Sequence, residues 1–406
     1  MKPDRRRLVD SIDRQGALDF LSQTVRFAST GGSPGETALG RFLADRMMAL
    51  GLATDLQQVE GERFNAIGRL AGSGGGRSLM YNGHLDTNPV SAGWTVDPLA
   101  GLVDDQFIYG IGVSNTKASN AAAFWAVKTL AEQGLRLRGD IILAYVVGEL
   151  DGGIGTLHTL EHGLRADCFL CGEPTDLAAL TVHAGAFNFV IELTGATRHV
   201  SKREEAVDAL AAACVLAQRI NAMTFSGAAT ADHRVVNRAH VGQMRAALTP
   251  EFNESRPPQV ADFARLVGTG RYSASQTQAG ALGDLRQMLG QLESEFPGLK
   301  GRVYAKDAAE GRPTMEPFEV SREAPIVRAL NQAYETVRGR PQPTGAVPPP
   351  CFFITDAAHL WRRGGMEGVV CGAGGKFNTM PDERVDIADY LDAIRIYLLT
   401  MLEICS

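Results

Sequence analysis

The chain has no apolar run approaching the roughly 20 residues that a membrane-spanning helix needs, so none of its 406 residues predicts a span. It has no basic surplus either. Its 40 Lys and Arg are outnumbered by 46 Asp and Glu, a net charge of -6, with a pI near 5.8. Phosphate-rich partners reward the opposite balance, so neither a nucleic-acid nor a membrane partner is expected. Cysteine is sparse, six in all, which argues against a disulfide framework. Cys168 and Cys171 do form a C-x-x-C, the spacing of half a zinc site or of a redox pair. They sit in the apolar run Asp167-Cys168-Phe169-Leu170-Cys171, where residues three apart on a strand face opposite ways, so core cysteines are the better reading. The basic start, Met1 to Arg7, leads into an amphipathic, acidic segment rather than an apolar h-region. No signal peptide is read, and a cytoplasmic location is expected.

What the chain does have is the composition of a globular protein, 45% hydrophobic and 21% charged, with a mean hydropathy of -0.07. Its length exceeds one ordinary core, so two domains are expected. Helical spacing of apolar residues covers 8–25 and 35–51, and strands follow near 53–59 and 63–70. A glycine-rich turn at 72–76 precedes a strand rather than a helix, which removes it as a phosphate loop. From there continuous apolar strands ending near 84, 147 and 171 alternate with helices, one of them the small-residue stretch 117–134. That pattern predicts an α/β fold, a mostly parallel sheet with helices on both faces. Between 186 and 312 the pattern changes to strands near 186–193, 240–247, 262–269 and 301–305 with helices at 204–221 and 279–295. Four strands and two helices predict a ferredoxin-like α+β insert. The first pattern then resumes, with a helix at 323–338, a strand at 367–371 and a last helix at 387–403. The expected organisation is therefore 1–185 and 313–406 as one domain and 186–312 as a second domain inserted into it.

Chemistry gathers at the strand ends. Ser78 to Val90 rises through an apolar run and delivers His84 and Asp86 two residues apart after Asn82-Gly83. Ligands collect beyond the carboxyl ends of parallel strands. A His-x-Asp pair lets the imidazole ligate a metal while the carboxylate holds its other nitrogen. Taken alone, a hydrogen-bonded histidine is the plainer reading. Two further strands end in Gly148-Glu149-Leu150-Asp151-Gly152-Gly153 and Gly172-Glu173-Pro174-Thr175, so three strands bring polar residues to one edge.

In order, these segments resemble the M20 metallopeptidases and aminoacylases, a family that includes acetylornithine deacetylase, succinyl-diaminopimelate desuccinylase and glutamate carboxypeptidase. Gly83 to Thr87 is similar to the first metal motif, Gly110 to Lys117 to the bridging-ligand loop, Glu149 to Thr156 to the Glu-Glu-x-Gly-Gly turn, and Gly172 to Thr175 to a third ligand motif. Gly195 to His199, Ile354 to Asp356 and Gly372 to Val385 match later motifs. The resemblance implies a zinc-peptidase-like catalytic domain and an inserted dimerisation domain. It also implies a homodimer or higher homo-oligomer in which His199 reaches the partner subunit's site to stabilise negative charge on the substrate. A histidine in a polar surface turn is the alternative reading of His199.

Family members hold two divalent ions, but here three of the five ligand positions differ. His84 and Glu173 are kept, whereas Asn115 stands where the bridging Asp belongs, Leu150 where the second Glu belongs and Asn378 where the C-terminal His belongs. The resemblance therefore implies at most one divalent ion, Mn, Zn or Fe, held by His84, Asn115 and Glu173. Glu149 would be the general base and Asp86 would orient His84, with Asp151 a conceivable substitute ligand. Leu150, Asp151, Asp356, Lys376 and Asn378 are candidates for the substrate pocket. Phe352, Phe353, Trp361 and Phe377 could form an apolar pocket wall or pack in the core. Two function classes follow. One is a hydrolase of a small-molecule amide or other C–N bond, through deacylation or hydrolytic deamination of a carboxylate-bearing substrate. The other is a metal-free relative, either a binding or regulatory pseudoenzyme or an acyl-transfer or cyclising enzyme.

Overall fold

A computed structural model describes residues 5–253, 258–306 and 316–406. The chain forms two compact units, Met1–Thr181 with Phe318–Ser406, and Val182–Pro317. The boundary expected at 312–313 lies outside the described residues.

The first unit is built on an eight-stranded sheet in the order Ala53–Glu60, Arg63–Leu70, Ile141–Val146, Leu79–His84, Cys168–Cys171, Glu367–Val370, Ala179–Leu180 and Thr344–Gly345. The four central strands run parallel. Ile141–Val146, Leu79–His84 and Cys168–Cys171 are buried along their whole length. That burial is why their sequences are unbroken apolar runs rather than alternating ones. Neighbouring residues of the Leu79–His84 strand reach opposite layers. Tyr81 bonds Asn120 of the helix Ala118–Glu132 and packs on Tyr397 of the helix Ile387–Cys405, while Asn82 bonds Thr156 of the helix Ile154–Glu161. Helices thus cover both faces. Ala121, Ala122, Ala123 and Ala126 are fully buried, which the small-residue helix permits by its close approach. Cys168 and Cys171 are buried in this core and unpaired.

At two points where the observed elements differ from the expected ones, a side-chain cap decides it. The stretch 8–25 is two helices, Arg5–Asp10 and Arg14–Val25, because the Asp13 carboxylate accepts from Gly16 N–H at 3.0 Å and starts a new helix. The helix expected from 204 begins at Ala209, where Asp208 caps it through Ala211 N–H at 2.9 Å. Val200–Glu205 forms a 3₁₀ turn instead.

The second unit has a four-stranded antiparallel sheet, ordered Arg238–Ala247, Phe263–Tyr272, Gly185–Thr194 and Lys300–Lys306. In chain order this is the 2-3-1-4 arrangement of a ferredoxin-like unit. The helices Ala209–Ala222 and Gln278–Glu295 bury Leu216, Ile220, Leu285, Leu289 and Leu292 against Phe187, Phe189, Ile191 and Leu193 in a separate core.

Candidate active site

Parallel pairing aligns the carboxyl ends of three strands. His84 is in register with Val146, and Asn82 with Cys171, so the turns carrying Asp86, Glu149 and Glu173 leave the sheet on one edge. All three carboxylates and His84 are buried. The His84 ring is held at both ends. Nδ1 lies 2.8 Å from the Asp86 carbonyl oxygen, and Nε2 lies 3.0 Å from Asn115 Oδ1 and 3.9 Å from Glu173 Oε2.

Asp86 works differently from the expected His-x-Asp pairing. It is the Asp86 backbone carbonyl that fixes the ring, while the carboxylate stands 3.6 Å from Nδ1. The carboxylate oxygens instead accept from Glu149 N–H at 3.2 Å and Leu150 N–H at 3.0 Å. Asp86 thereby ties the Glu149 turn to the His84 strand. Gly153, at φ +77°, lets this turn close, because a Cβ there would lie 2.5 Å from Asp356 Oδ1.

Asn115 is positioned from elsewhere. The Glu383 carboxylate accepts from the N–H groups of Gly112, Ser114 and Asn115 at 3.1, 2.9 and 3.0 Å. Burial pushes the Glu383 pKa up to about 7. Lys117, also buried, donates Nζ to the Phe27 carbonyl at 2.8 Å, and burial lowers its pKa to about 7. A small cleft of about 140 Å³ opens between this loop, Thr87 to Ser91 and Thr379 to Glu383.

Asp151 is not available as a replacement ligand in this geometry. Its carboxylate is 2.7 Å from Arg63 Nη1, and the same guanidinium holds Glu36 through Nε at 2.7 Å and Nη2 at 2.8 Å. This triad, buried at Glu36 and Arg63 and partly exposed at Asp151, was not legible in the sequence, because the three residues share no motif or spacing. Leu150 is 46% exposed despite its apolar side chain, so it faces open space beside the buried Glu149. Asp356 is buried and accepts from Thr156 Oγ1 at 2.8 Å, while its Oδ1 has no hydrogen-bond partner among the described residues. Lys376 and Asn378 do not hydrogen-bond this cluster. Lys376 is exposed with its ammonium 5.2 Å from the Phe377 ring, and Asn378 N–H donates to the Gly375 carbonyl. Phe377 packs edge-on to Phe107 and Trp361 edge-on to Phe318, so both are structural. His199 belongs to the inserted unit, where it is exposed and its Nδ1 lies 2.8 Å from Ser201 Oγ.

The electrostatics are those of a cluster with surplus negative charge. Burial, then the nearby Glu173, raises the Glu149 pKa well above the carboxylate range. Burial likewise lifts Glu173 to about 7, with Asp356 and Asp86 adding to the shift. Asp356 is raised too, chiefly by burial. Burial would lower the His84 pKa, but Asp86 and the charges of Glu173 and Glu149 reverse this and raise it well above its usual value. Four carboxylates around one imidazole form an environment in which a cation is stabilised.

No group of three His, Cys, Asp or Glu side chains is arranged to hold a metal among the described residues. With the Asn115 amide as third donor the set changes. Donors bound to one ion at about 2.1 Å stand roughly 3.4 Å apart. The 3.0 and 3.9 Å separations from His84 Nε2 to Asn115 and Glu173 lie about half an ångström to either side of that spacing.

The model of peptidase family M20/M25/M40 matches residues 80–403. The chain belongs to this family. Over 95% of its length, and 94% of the relative's, it is 24% identical to the N-formyl-4-amino-5-aminomethyl-2-methylpyrimidine deformylase of Bacillus subtilis. It is 31% identical to the acetylornithine deacetylase of Edwardsiella ictaluri over 43% of this chain and 44% of that one. Among solved structures, the aminopeptidase PepT from Bacillus cereus superposes with a TM-score of 0.74 at 16% identity, covering 97% of this chain and all of that one. The M20 carboxypeptidase Sso-CP2 from Sulfolobus solfataricus gives 0.71 at 17% identity, covering 96% and 98%. This M20 chain is thus a hydrolase acting on C–N bonds, on the fold its sequence pattern predicts.

Proposed function

We propose that this M20 chain removes a small acyl group, such as formyl or acetyl, from the nitrogen of a small molecule, using one divalent ion. His84, Asn115 and Glu173 are the residues that would hold it. Such an ion supplies Lewis acidity toward the amide carbonyl and the attacking water. Glu149 takes the water proton as the C–O bond forms and passes it to the leaving nitrogen as the C–N bond breaks. Asp86, through the Glu149 and Leu150 N–H groups, holds that carboxylate at the strand end. His199 of a partner subunit would stabilise the developing negative charge.

The observation that carries this reading is the convergence of buried Glu149, Glu173 and His84 at the aligned strand ends, where burial and the neighbouring Glu173 raise the Glu149 carboxyl above its usual range. The deformylase and deacetylase likenesses favour acyl removal over peptide cleavage. The metal-free reading has one observation in its favour, the direct 3.0 Å approach of Asn115 to His84 Nε2.

Elemental analysis of protein purified without chelator or nickel resin separates the two. About one Mn, Fe or Zn per chain, lost in Glu173→Ala, is expected, together with hydrolysis of N-formyl or N-acetyl amines. Two ions would show that another residue completes a dinuclear site. No metal under any loading condition would transfer the weight to the metal-free reading.

A further inference from the structure

The sheet of the inserted unit packs its helices on one side only, and the other side is charged in a way the whole chain is not. Directly paired residues of an antiparallel sheet share a face. Register therefore identifies the open side, opposite Ile191 and Leu193 of the core. Across the four strands one row reads Arg245, Arg265, Glu192, Arg302. The Lys300–Lys306 strand puts Lys300, Arg302 and Lys306 on this side, and Arg238 and Arg271 stand opposite each other at the far end. Arg245, Arg265, Lys300, Arg302 and Lys306 are all exposed. Among the described residues, the exposed Arg245, Arg265, Lys300, Arg302 and Lys306 thus share the open side with the Glu192 carboxylate, on a chain whose net charge is -6.

Folding does not account for this arrangement. Arg245 lies directly opposite Arg265, and like charges in that relation destabilise a sheet. Glu192 shows how the side receives a carboxylate. Arg302 approaches Glu192 Oε2 through Nε at 2.6 Å and Nη2 at 2.5 Å, Tyr304 donates to Oε1 at 3.2 Å, and Arg265 Nε stands 3.8 Å away. One carboxylate between two guanidinium groups leaves a positive surplus.

We propose that this open side docks an extended, carboxylate-rich polypeptide segment. Four strands make it about 14 Å wide, and Lys300 to Lys306 span about 20 Å along the strand, dimensions of a peptide rather than a metabolite. An extended peptide repeats its side chains on one face every ~6.8 Å, the same period as Lys300 and Arg302. Arginine forks pair bidentately with carboxylates. A single nucleic-acid strand shares the negative charge but needs aromatic rings for its bases. Tyr304, on the edge strand, has the Arg302 guanidinium 5.5 Å from its centroid, and Phe263, on the same side by register, is buried and packs edge-on to Phe252, whose ring carries the Arg245 guanidinium, so these rings are already engaged.

The test is fluorescence anisotropy of a fluorescein-labelled deca-glutamate peptide titrated with the full chain, with a labelled decathymidylate in parallel. Micromolar binding of the peptide at low salt, weakening steeply as salt rises, is expected. Arg245→Glu/Arg302→Glu should weaken it about ten-fold or more, as should Lys300→Glu/Lys306→Glu, which leaves the Glu192 contacts in place. Arg41→Glu, on the other unit, should leave it unchanged, and thermal unfolding confirms that each variant is folded. Absence of peptide binding, affinity unchanged from the unsubstituted chain in either double variant, the same loss in Arg41→Glu, or tighter binding of decathymidylate would each overturn the proposal. None of these readouts depends on metal or turnover, so the proposal stands or falls separately from the acyl-removal reading.

Discussion

At the scale of single residues, Glu149 and Leu150 are neighbours with opposite fates. Glu149 is buried beside Glu173, and Leu150 is held by the same Asp86 carboxylate yet turned outward. Replacing Glu149 by Gln keeps the shape and removes the base. Turnover is expected to fall by about 10²- to 10⁴-fold, with no loss of thermal stability, because a like-charge neighbour disappears. The ligand positions permit a converse experiment. Asn115→Asp/Leu150→Glu/Asn378→His supplies two carboxylates and an imidazole, and elemental analysis should then find a second ion per chain. The cysteines give a third residue-scale outcome. Burial pushes the Cys168, Cys371 and Cys405 thiols up to about 12, also raises Cys171 well above its usual value, and leaves Cys351 inaccessible, whereas Cys214 is exposed. At pH 8 the native chain should take up one iodoacetamide, at Cys214, and six after denaturation, as read by intact mass.

At the scale of elements, the Glu36–Arg63–Asp151 triad joins the first turn of the helix Pro34–Ala49, the strand Arg63–Leu70 and the turn after Ile141–Val146. Glu36 Oε1 also accepts from Gly148 N–H at 3.3 Å, so the triad braces the turn that carries Glu149. Arg63→Met leaves Glu36 buried without its cation. Urea unfolding should show a loss of about 3 to 5 kcal/mol, and a second substitution, Glu36→Met, should recover part of it. Nothing in the spacing of these residues announces the triad. The strands and helices themselves were legible, because an unbroken apolar run and a 3.6-residue period report burial directly. Their ends were less so, since Asp13 and Asp208 act as caps only once the chain around them has turned.

At the scale of the whole molecule, the two cores are separate, and each unit presents its own chemistry. Pairing of chains is an expectation carried by the family resemblance, and light scattering on the eluting protein tests it: twice the chain mass is the expected result. If His199 serves the partner's site, Glu149→Gln and His199→Ala should each be inactive alone. Mixed and reassembled, they should regain activity, because hybrid dimers contain one site with both groups. A mixture that stays inactive would assign His199 to its own chain's site, and full activity of His199→Ala alone would place it outside catalysis.

Periodicity, strand-end motifs and the identities of His84, Glu149 and Glu173 are local properties, and they were enough to place this chain among C–N hydrolases of the M20 kind. The departures at Asn115, Leu150 and Asn378 were equally plain, since a ligand's chemistry is written in its residue type. Tertiary structure decided what depends on distant partners. It committed Asp151 to Arg63 and hung the Asn115 loop on Glu383. Cross-strand register likewise gathered scattered cations onto one side of the inserted sheet. Hydrogen bonds and charges act over a few ångströms of space, and residues dozens or hundreds of positions apart become neighbours only when the sheet aligns its strands.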